Sequence, residues 1–313
     1  MTTAFAFVFP GQGSQAVGML DAWGDHPEVA RTLAEASSAL GEDMAALIKA
    51  GPKEQLDLTT NTQPVMLTAG IACYRAWIAE TGLVPAAAAG HSLGEYTALV
   101  ASGALSLAEA LPLVRFRAQA MQEAVPVGTG AMYAILGLDG EAVRAGCAQA
   151  AAESGEVVEA VNFNDPKQTV IAGSKAGAEK AAEVLKAAGA KRALPLSVSA
   201  PFHSSLMKPA AERLREKLAA TSFAAQAFPI VNNIDVTVTD SADALRDALY
   251  RQAFGPVRWV EVIQALKARG LSHIIECGPG KVLSGMVKRI DGELQSTTVL
   301  DPASLAEAKA LLA

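Results

Sequence analysis

The stretch AAAAGHSLGEYTALVASGAL, Ala86 to Leu105, sets a serine between two glycines at the point where a short apolar run gives way to a helical pattern. Ala86 to Ala89 reads as a short strand buried on both faces, and a helix follows from Leu93. Gly90-His91-Ser92-Leu93-Gly94 therefore matches G-x-S-x-G in the strand-to-helix context that a nucleophile elbow requires. In that geometry the glycines permit a tight turn and the Ser92 hydroxyl is presented at the sheet edge. The Leu93 amide then points, with the helix N-terminus, toward a developing oxyanion.

Outward from the elbow the same layering continues. Toward the N-terminus, Phe5 to Phe9 reads as a buried strand closed by the turn PGQG, and helical patterns run from there to about residue 82. One of them, TQPVMLTAGIACYRAWIAETG, carries Val65, Ala69, Ala72, Ala76 and Ala79 at helical spacing and stops at Gly82. Toward the C-terminus a helix is expected from about Leu107 to Glu123, and Gly128 to Gly130 break the pattern. From there to about Val198 the order is strand AMYAILGL, helix DGEAVRAGCAQAAAES, strand VVEAVNFN, turn DPKQ, strand TVIAGS, helix KAGAEKAAEVLKAAG, strand AKRALPLSV. This is β-α-β-β-α-β, the ferredoxin-like order, with Asp139 and Ser174 at N-cap positions and Gly189 at a C-cap position. The expected architecture is thus α/β: a discontinuous larger domain, residues 1–127 and 199–313, with a small ferredoxin-like domain inserted over 128–198. In the last segment we expect a helix from about Ser204, a strand near FPIVNNI and helices around 241–253 and 258–269. SHIIECGPG reads as a strand and glycine turn, followed by a helix over KVLSGMVKRI, a last strand at TTVL and a terminal helix.

The chain has 313 residues, 51% of them hydrophobic, enough to bury a large core. Its formal net charge of −6 argues against nonspecific attraction to nucleic acid or anionic lipid. Cys73, Cys147 and Cys277 have no CxxC spacing and suit core thiols in a reducing cytoplasm. No segment reads as a signal peptide or a membrane span.

A serine nucleophile needs a base, and the chain has four histidines: His26, His91, His203 and His273. His91 adjoins the serine on a sharp turn, where neighbouring side chains diverge. His26 looks like a helix-entry residue, and His273 begins an apolar strand. His203, in SVSAPFHSSLMKP, follows a strand and a proline turn at the entry to a helix, where α/β proteins gather site residues, and is the favoured base. No aspartate stands out as its partner: Asp165 and Asp235 read as solvated turn residues. FPGQGSQ, Phe9 to Gln15, offers a close backbone turn with Gln12 as an amide donor, and misses both the dinucleotide and P-loop spacings. Arg115 and Arg117 interrupt a largely apolar helix two residues apart, so one can face inward, where it needs either a salt-bridge partner or a substrate carboxylate.

Taken in order, FPGQGSQ, GHSLGEY, RFRAQAMQEA, VNFNDPKQTVIAG, APFHS and QAFGPVRW resemble the malonyl-CoA:acyl carrier protein transacylase family of dissociated fatty acid synthesis over nearly the whole chain. The resemblance implies an α/β-hydrolase-like domain with a parallel sheet core, a ferredoxin-like small domain, and an active site between them. It places the nucleophile on Ser92, the base on His203, and the substrate-carboxylate site on Arg117 rather than Arg115. It puts the oxyanion donors on the backbone amides of Gln12 and Leu93, and the carbonyl that orients the histidine on Gln252, which accounts for the missing aspartate. It further implies a monomeric cytoplasmic enzyme that needs no metal or bound cofactor and takes malonyl-CoA and acyl carrier protein as substrates. Phe202 resembles the residue of malonyl-selecting members. A serine thioesterase or esterase would use the same elbow, and a methylmalonyl-preferring transferase the same residues. Lys191, Arg192, Lys208, Lys281, Lys288 and Arg289 lie near the site segments in sequence and are candidates for a basic patch that receives the acidic carrier.

Overall fold

In the computed structural model, which describes residues 3–313, the strands in chain order are β1 (Phe5–Phe9), β2 (Ala87–Gly90), β3 (Gly130–Leu136), β4 (Val158–Asp165), β5 (Gln168–Ser174), β6 (Arg192–Pro195), β7 (Ile230–Val231), β8 (His273–Cys277) and β9 (Gln295–Val299). Five of them form a sheet ordered β7-β2-β1-β8-β9 in which every pairing is parallel. β1 is its central strand and is buried along its whole length, which is why it reads as continuous apolar sequence rather than an alternation. Its two faces serve different layers. Phe5, Phe7 and Phe9 point into a cluster with Tyr74 and Trp77 of the helix Thr59–Thr81, and Ala6 and Val8 into one with Trp259, Val262 and Ile263 of the helix Trp259–Ala268.

The remaining strands form an antiparallel sheet ordered β4-β5-β3-β6. Helices Gly140–Ser154 and Lys175–Ala187 supply Val143, Cys147, Ala181 and Leu185 to a core shared with Ile135 and Ile171 of that sheet. Asp139 and Ser174 cap these helices, accepting the N–H of Ala142 and Gly177. Gly189 takes a positive φ of 102° one residue beyond the helix cap Ala188. The ferredoxin-like order is therefore the observed one, and the fold is α/β with a parallel core and a separate antiparallel sheet. The antiparallel sheet is tied at the backbone to the segment before the helix Trp259–Ala268: Val257 N–H donates to Val161 O at 2.8 Å, and Phe163 N–H donates to Val257 O at 3.0 Å.

Three expectations need correction. The helix Thr59–Thr81 stops at Gly82 as expected, but its burial does not follow the apolar spacing: residues 62–73 are all buried, because it packs against three helices, Pro27–Leu40, Leu93–Ala101 and Leu107–Glu123, while Ala79 is exposed. The strands expected at AKRALPLSV and FPIVNNI shrink to four and two residues, Arg192–Pro195 and Ile230–Val231, each at a sheet edge with one partner strand. Asp165 is not a solvated turn residue. It is 6% exposed, accepts from Arg289 Nε at 2.7 Å and caps the Lys167 N–H. Asp235 is the exposed turn residue expected, and it accepts a two-pronged bond from Arg251, at 2.7 and 2.6 Å.

Candidate active site

Ser92 sits between β2 and the helix Leu93–Ala101 with φ 53° and ψ −109°, a conformation that L-residues rarely adopt. The turn is this tight because both flanking residues lack a side chain. A Cβ on Gly90 would lie 1.8 Å from the Gly94 carbonyl carbon, and one on Gly94 would lie 2.0 Å from Phe9 O. Asn233 and Gln252 brace the strained backbone. Asn233 Oδ1 accepts the Ser92 N–H at 2.8 Å and its Nδ2 donates to Gly90 O, while Gln252 Nε2 donates to Ser92 O at 3.1 Å.

His203, also at positive φ (66°), is 4% exposed. Its Nδ1 lies 2.9 Å from Gln252 O. A carbonyl only accepts, so Nδ1 carries the hydrogen and Nε2 is left as an acceptor. Nε2 is 2.7 Å from Ser92 Oγ, so the serine hydroxyl donates to it. Burial, then the nearby charge of Arg117, push the imidazole down to about 3, which keeps the ring neutral at physiological pH.

Arg117, on the helix Leu107–Glu123, is 2% exposed. Its hydrogen bonds all go to neutral oxygens: Nη1 to Gln63 Oε1 at 2.8 Å, and Nη2 to Gln252 Oε1 at 3.0 Å and Ser92 Oγ at 3.2 Å. Its Nε is buried without a partner, and its guanidinium carbon lies 5.4 Å from the Tyr96 ring centre. Arg115 points outward and pairs through two nitrogens with Glu42, both at 2.8 Å. A cation so placed lowers its free energy by taking up an anion.

These groups line a cavity of about 130 Å³ whose walls also include Gln12, His91, Leu93, Met132 and Phe202. A groove of about 620 Å³ adjoins it, sharing Gln12, His91, Asn162, Leu196 and Val198. The arrangement has an acceptor for the serine proton, a cation for an anionic group, and space for a short acyl chain with a longer one leading outward. His91 Nε2 donates to Asn164 Oδ1 at 2.8 Å, away from Ser92. His26 caps the helix Pro27–Leu40 and His273 opens β8, both remote in role from the cavity. The three cysteines are buried and unbonded to one another. Among the described residues no group of three or more His, Cys, Asp or Glu could hold a metal ion.

Three site residues carried no signal in the sequence. Gln63 and Asn233 are isolated amides whose partners are 54 and 141 residues away. Glu95 stands inside GHSLGEY but reads as an ordinary first-turn acid; in the structure it is 2% exposed, and its Oε2 accepts from Gln252 Nε2 and from Asn233 N–H, each at 2.9 Å. Burial pushes its carboxyl up to about 7.

Residues 6–298 match the acyl transferase domain family. The chain is 52% identical over 307 residues to the malonyl CoA-acyl carrier protein transacylase of Escherichia coli K12, covering 98% of this chain and 99% of that one. It is 46% identical over 302 residues to the protein of the same name from Bacillus subtilis, covering 96% and 94%. Among solved structures, an acyl-carrier-protein S-malonyltransferase from Burkholderia pseudomallei superposes with a TM-score of 0.97 at 64% identity, over 98% of this chain and 100% of that one. A malonyl-transacylase solved with its type II polyketide acyl-carrier protein superposes with a TM-score of 0.96 at 49% identity, over 99% and 100%.

Proposed function

The chain belongs to the acyl transferase family, as a relative of its malonyl-CoA:acyl carrier protein transacylases, and on that premise we propose that it transfers malonyl from malonyl-CoA to the phosphopantetheine thiol of acyl carrier protein through a malonyl ester on Ser92. The observation that carries this reading is the position of Ser92 Oγ, 2.7 Å from a bare imidazole nitrogen of His203 and 3.2 Å from the buried cation of Arg117.

In the first half-reaction Ser92 Oγ attacks the thioester carbon while its proton passes to His203 Nε2. The backbone N–H groups of Gln12 and Leu93 hold the tetrahedral oxyanion. Collapse breaks the C–S bond, and His203 returns the proton to the coenzyme A thiolate. In the second half the carrier's thiol gives its proton to His203, the thiolate attacks the ester carbon, and Ser92 leaves with the proton. Gln252 O holds the histidine tautomer that both steps need, the task an aspartate performs in other triads. Arg117 binds the malonyl carboxylate. Each step moves a proton or an acyl group, so no cofactor is called for. We divide the chain into 1–127 with 199–313 and an inserted 128–198, a division supported by β3 to β6 forming one sheet and the other five strands another. No helix among the described residues is long and apolar enough to cross a membrane, and we place the enzyme in the cytoplasm as a monomer serving a soluble carrier.

Mass spectrometry after mixing with malonyl-CoA tests the reading. The expected result is one malonyl group on Ser92, absent in Ser92→Ala, stable in buffer and discharged when carrier thiol is added. An adduct on another residue overturns the mechanism, and rapid discharge to water without carrier makes the protein a thioesterase.

A further inference from the structure

Arg117 offers more than a positive charge in the cavity. Its Nη2 donates to Ser92 Oγ, the same oxygen whose own hydrogen is directed at His203 Nε2. Nη2 and the unpartnered Nε lie on one edge of the guanidinium, the edge to which a carboxylate binds through two parallel hydrogen bonds. We propose that Arg117 couples the charge of the acyl group to catalysis: in the unloaded enzyme it holds a lone pair of Ser92 Oγ and opposes protonation of His203, and a substrate carboxylate releases both restraints by engaging its Nε–Nη2 edge.

The proposal rests on the malonyl-transfer reading above. A hydroxyl oxygen that accepts from a cation is a poorer nucleophile, and an imidazole facing a buried cation is a poorer base. A carboxylate on Arg117 nullifies most of that field. It draws Nη2 from Ser92 Oγ, and His203 can then take the serine proton. An acetyl group brings no charge and leaves the restraints in place, so selection for a carboxylated chain acts on the chemical step as well as on binding.

The other polar groups near His203 do not substitute for this effect. His91, from the elbow, lowers His203 less than Arg117 does and is itself held below its ordinary range by burial. Glu95, from the helix after the elbow, is directed to Gln252 and Asn233. Glu159, from β4, accepts the N–H of Ser205 at 2.7 Å. Gln252 contributes an uncharged carbonyl. Arg117 is the cation that lowers His203, second only to burial.

The chain has only four histidines, so nitrogen-15 NMR of histidine-labelled enzyme resolves the question, with His203→Gln giving the assignment. His203 is titrated in the unloaded, acetyl-Ser92 and malonyl-Ser92 forms, each checked by mass spectrometry. The expected midpoint of the malonyl form lies about one pH unit or more above the acetyl and unloaded forms, a tenfold or greater gain in proton affinity. Unloaded Arg117→Gln shifts upward by the same amount; if that variant does not fold, the comparison of the two acyl forms decides. Equal midpoints in malonyl and acetyl forms, or a ring that stays neutral to pH 4 in both, overturn the coupling and leave malonyl transfer standing. Failure to form any malonyl adduct overturns the transfer reading and the coupling together.

Discussion

At the scale of the residue, two buried ionisable groups stand at the site, Arg117 on the cavity wall and Glu95 behind it. Arg117 bonds only to neutral oxygens, which supports the proposed pairing with a substrate carboxylate, and a planar guanidinium offers a fork that lysine cannot reproduce. Arg117→Ala should lower kcat/KM for malonyl-CoA by roughly 30-fold to several-thousand-fold, the equivalent of about 2–5 kcal/mol, while acetyl-CoA is retained or improved. The ratio of the two specificity constants measures it; equal losses on both substrates would make Arg117 a structural residue. Glu95 is the second such group. Its carboxyl is raised by burial from 4.5 to about 7, so between those values the unfolded chain binds fewer protons than the folded one, and stability falls as pH rises through that window. Glutamine keeps an oxygen for both donors and has no charge to bury. The gain in unfolding free energy of Glu95→Gln over wild type should therefore grow by on the order of 2 kcal/mol between pH 5 and pH 8. Urea melts at the two pH values test this, and a gain that shrank with rising pH would contradict it.

Elements supply the precision that single residues cannot. β2 ends beneath Ser92, the helix Leu93–Ala101 begins directly after it, and the turn between them fits only because Gly94 lies against Phe9 O of β1. The obstacle to a larger residue there is backbone in the central strand, which cannot rotate aside as a side chain can. Gly94→Ala is expected to cost about 3 kcal/mol or more, or to yield insoluble protein. A thermal melt within a degree or two of wild type would show that the elbow can open at little cost. Gln252 acts in the same way at the end of the helix Ala242–Gln252. One residue uses its carbonyl for His203, its amide oxygen for Arg117 and its amide nitrogen for Glu95 and the Ser92 carbonyl, so the proposed base, cation and nucleophile share one support.

For the whole molecule, the net charge of −6 opposes an acidic partner, so approach must rely on local charge. Lys191, Arg192, Lys208, Lys281, Lys288 and Arg289 are all exposed; Lys281 is followed directly by Val282 and Leu283, which line the 620 Å³ groove. Arg289 has a second duty on the buried Asp165 of β4. If these residues steer the carrier, raising ionic strength from about 0.02 to 0.3 M should slow transfer to the carrier protein more than loading from malonyl-CoA. Equal salt dependence of the two half-reactions would exclude the patch.

The sequence by itself determined the layering and the order of elements. Local rules govern these: buried parallel strands read as continuous apolar runs, Asp139 and Ser174 mark helix starts, and the spacing of Gly90, Ser92 and Gly94 allows one kind of turn. Ser92 was legible for that reason, and His203 because so few histidines compete. Arg117 could be separated from Arg115 only by resemblance, since two positions on one helix reveal different faces without revealing which is inside. Tertiary structure alone decided which amides and acids meet the site. Gln63, Glu95, Asn233 and the side chain of Gln252, whose carbonyl alone was expected at the site, come from separate elements and touch through hydrogen bonds spanning more than 50 residues, a contact that leaves no periodicity in the chain. It also decided that Asp165 is buried, because a turn-like sequence says nothing about the helix that will supply Arg289 from 124 residues away.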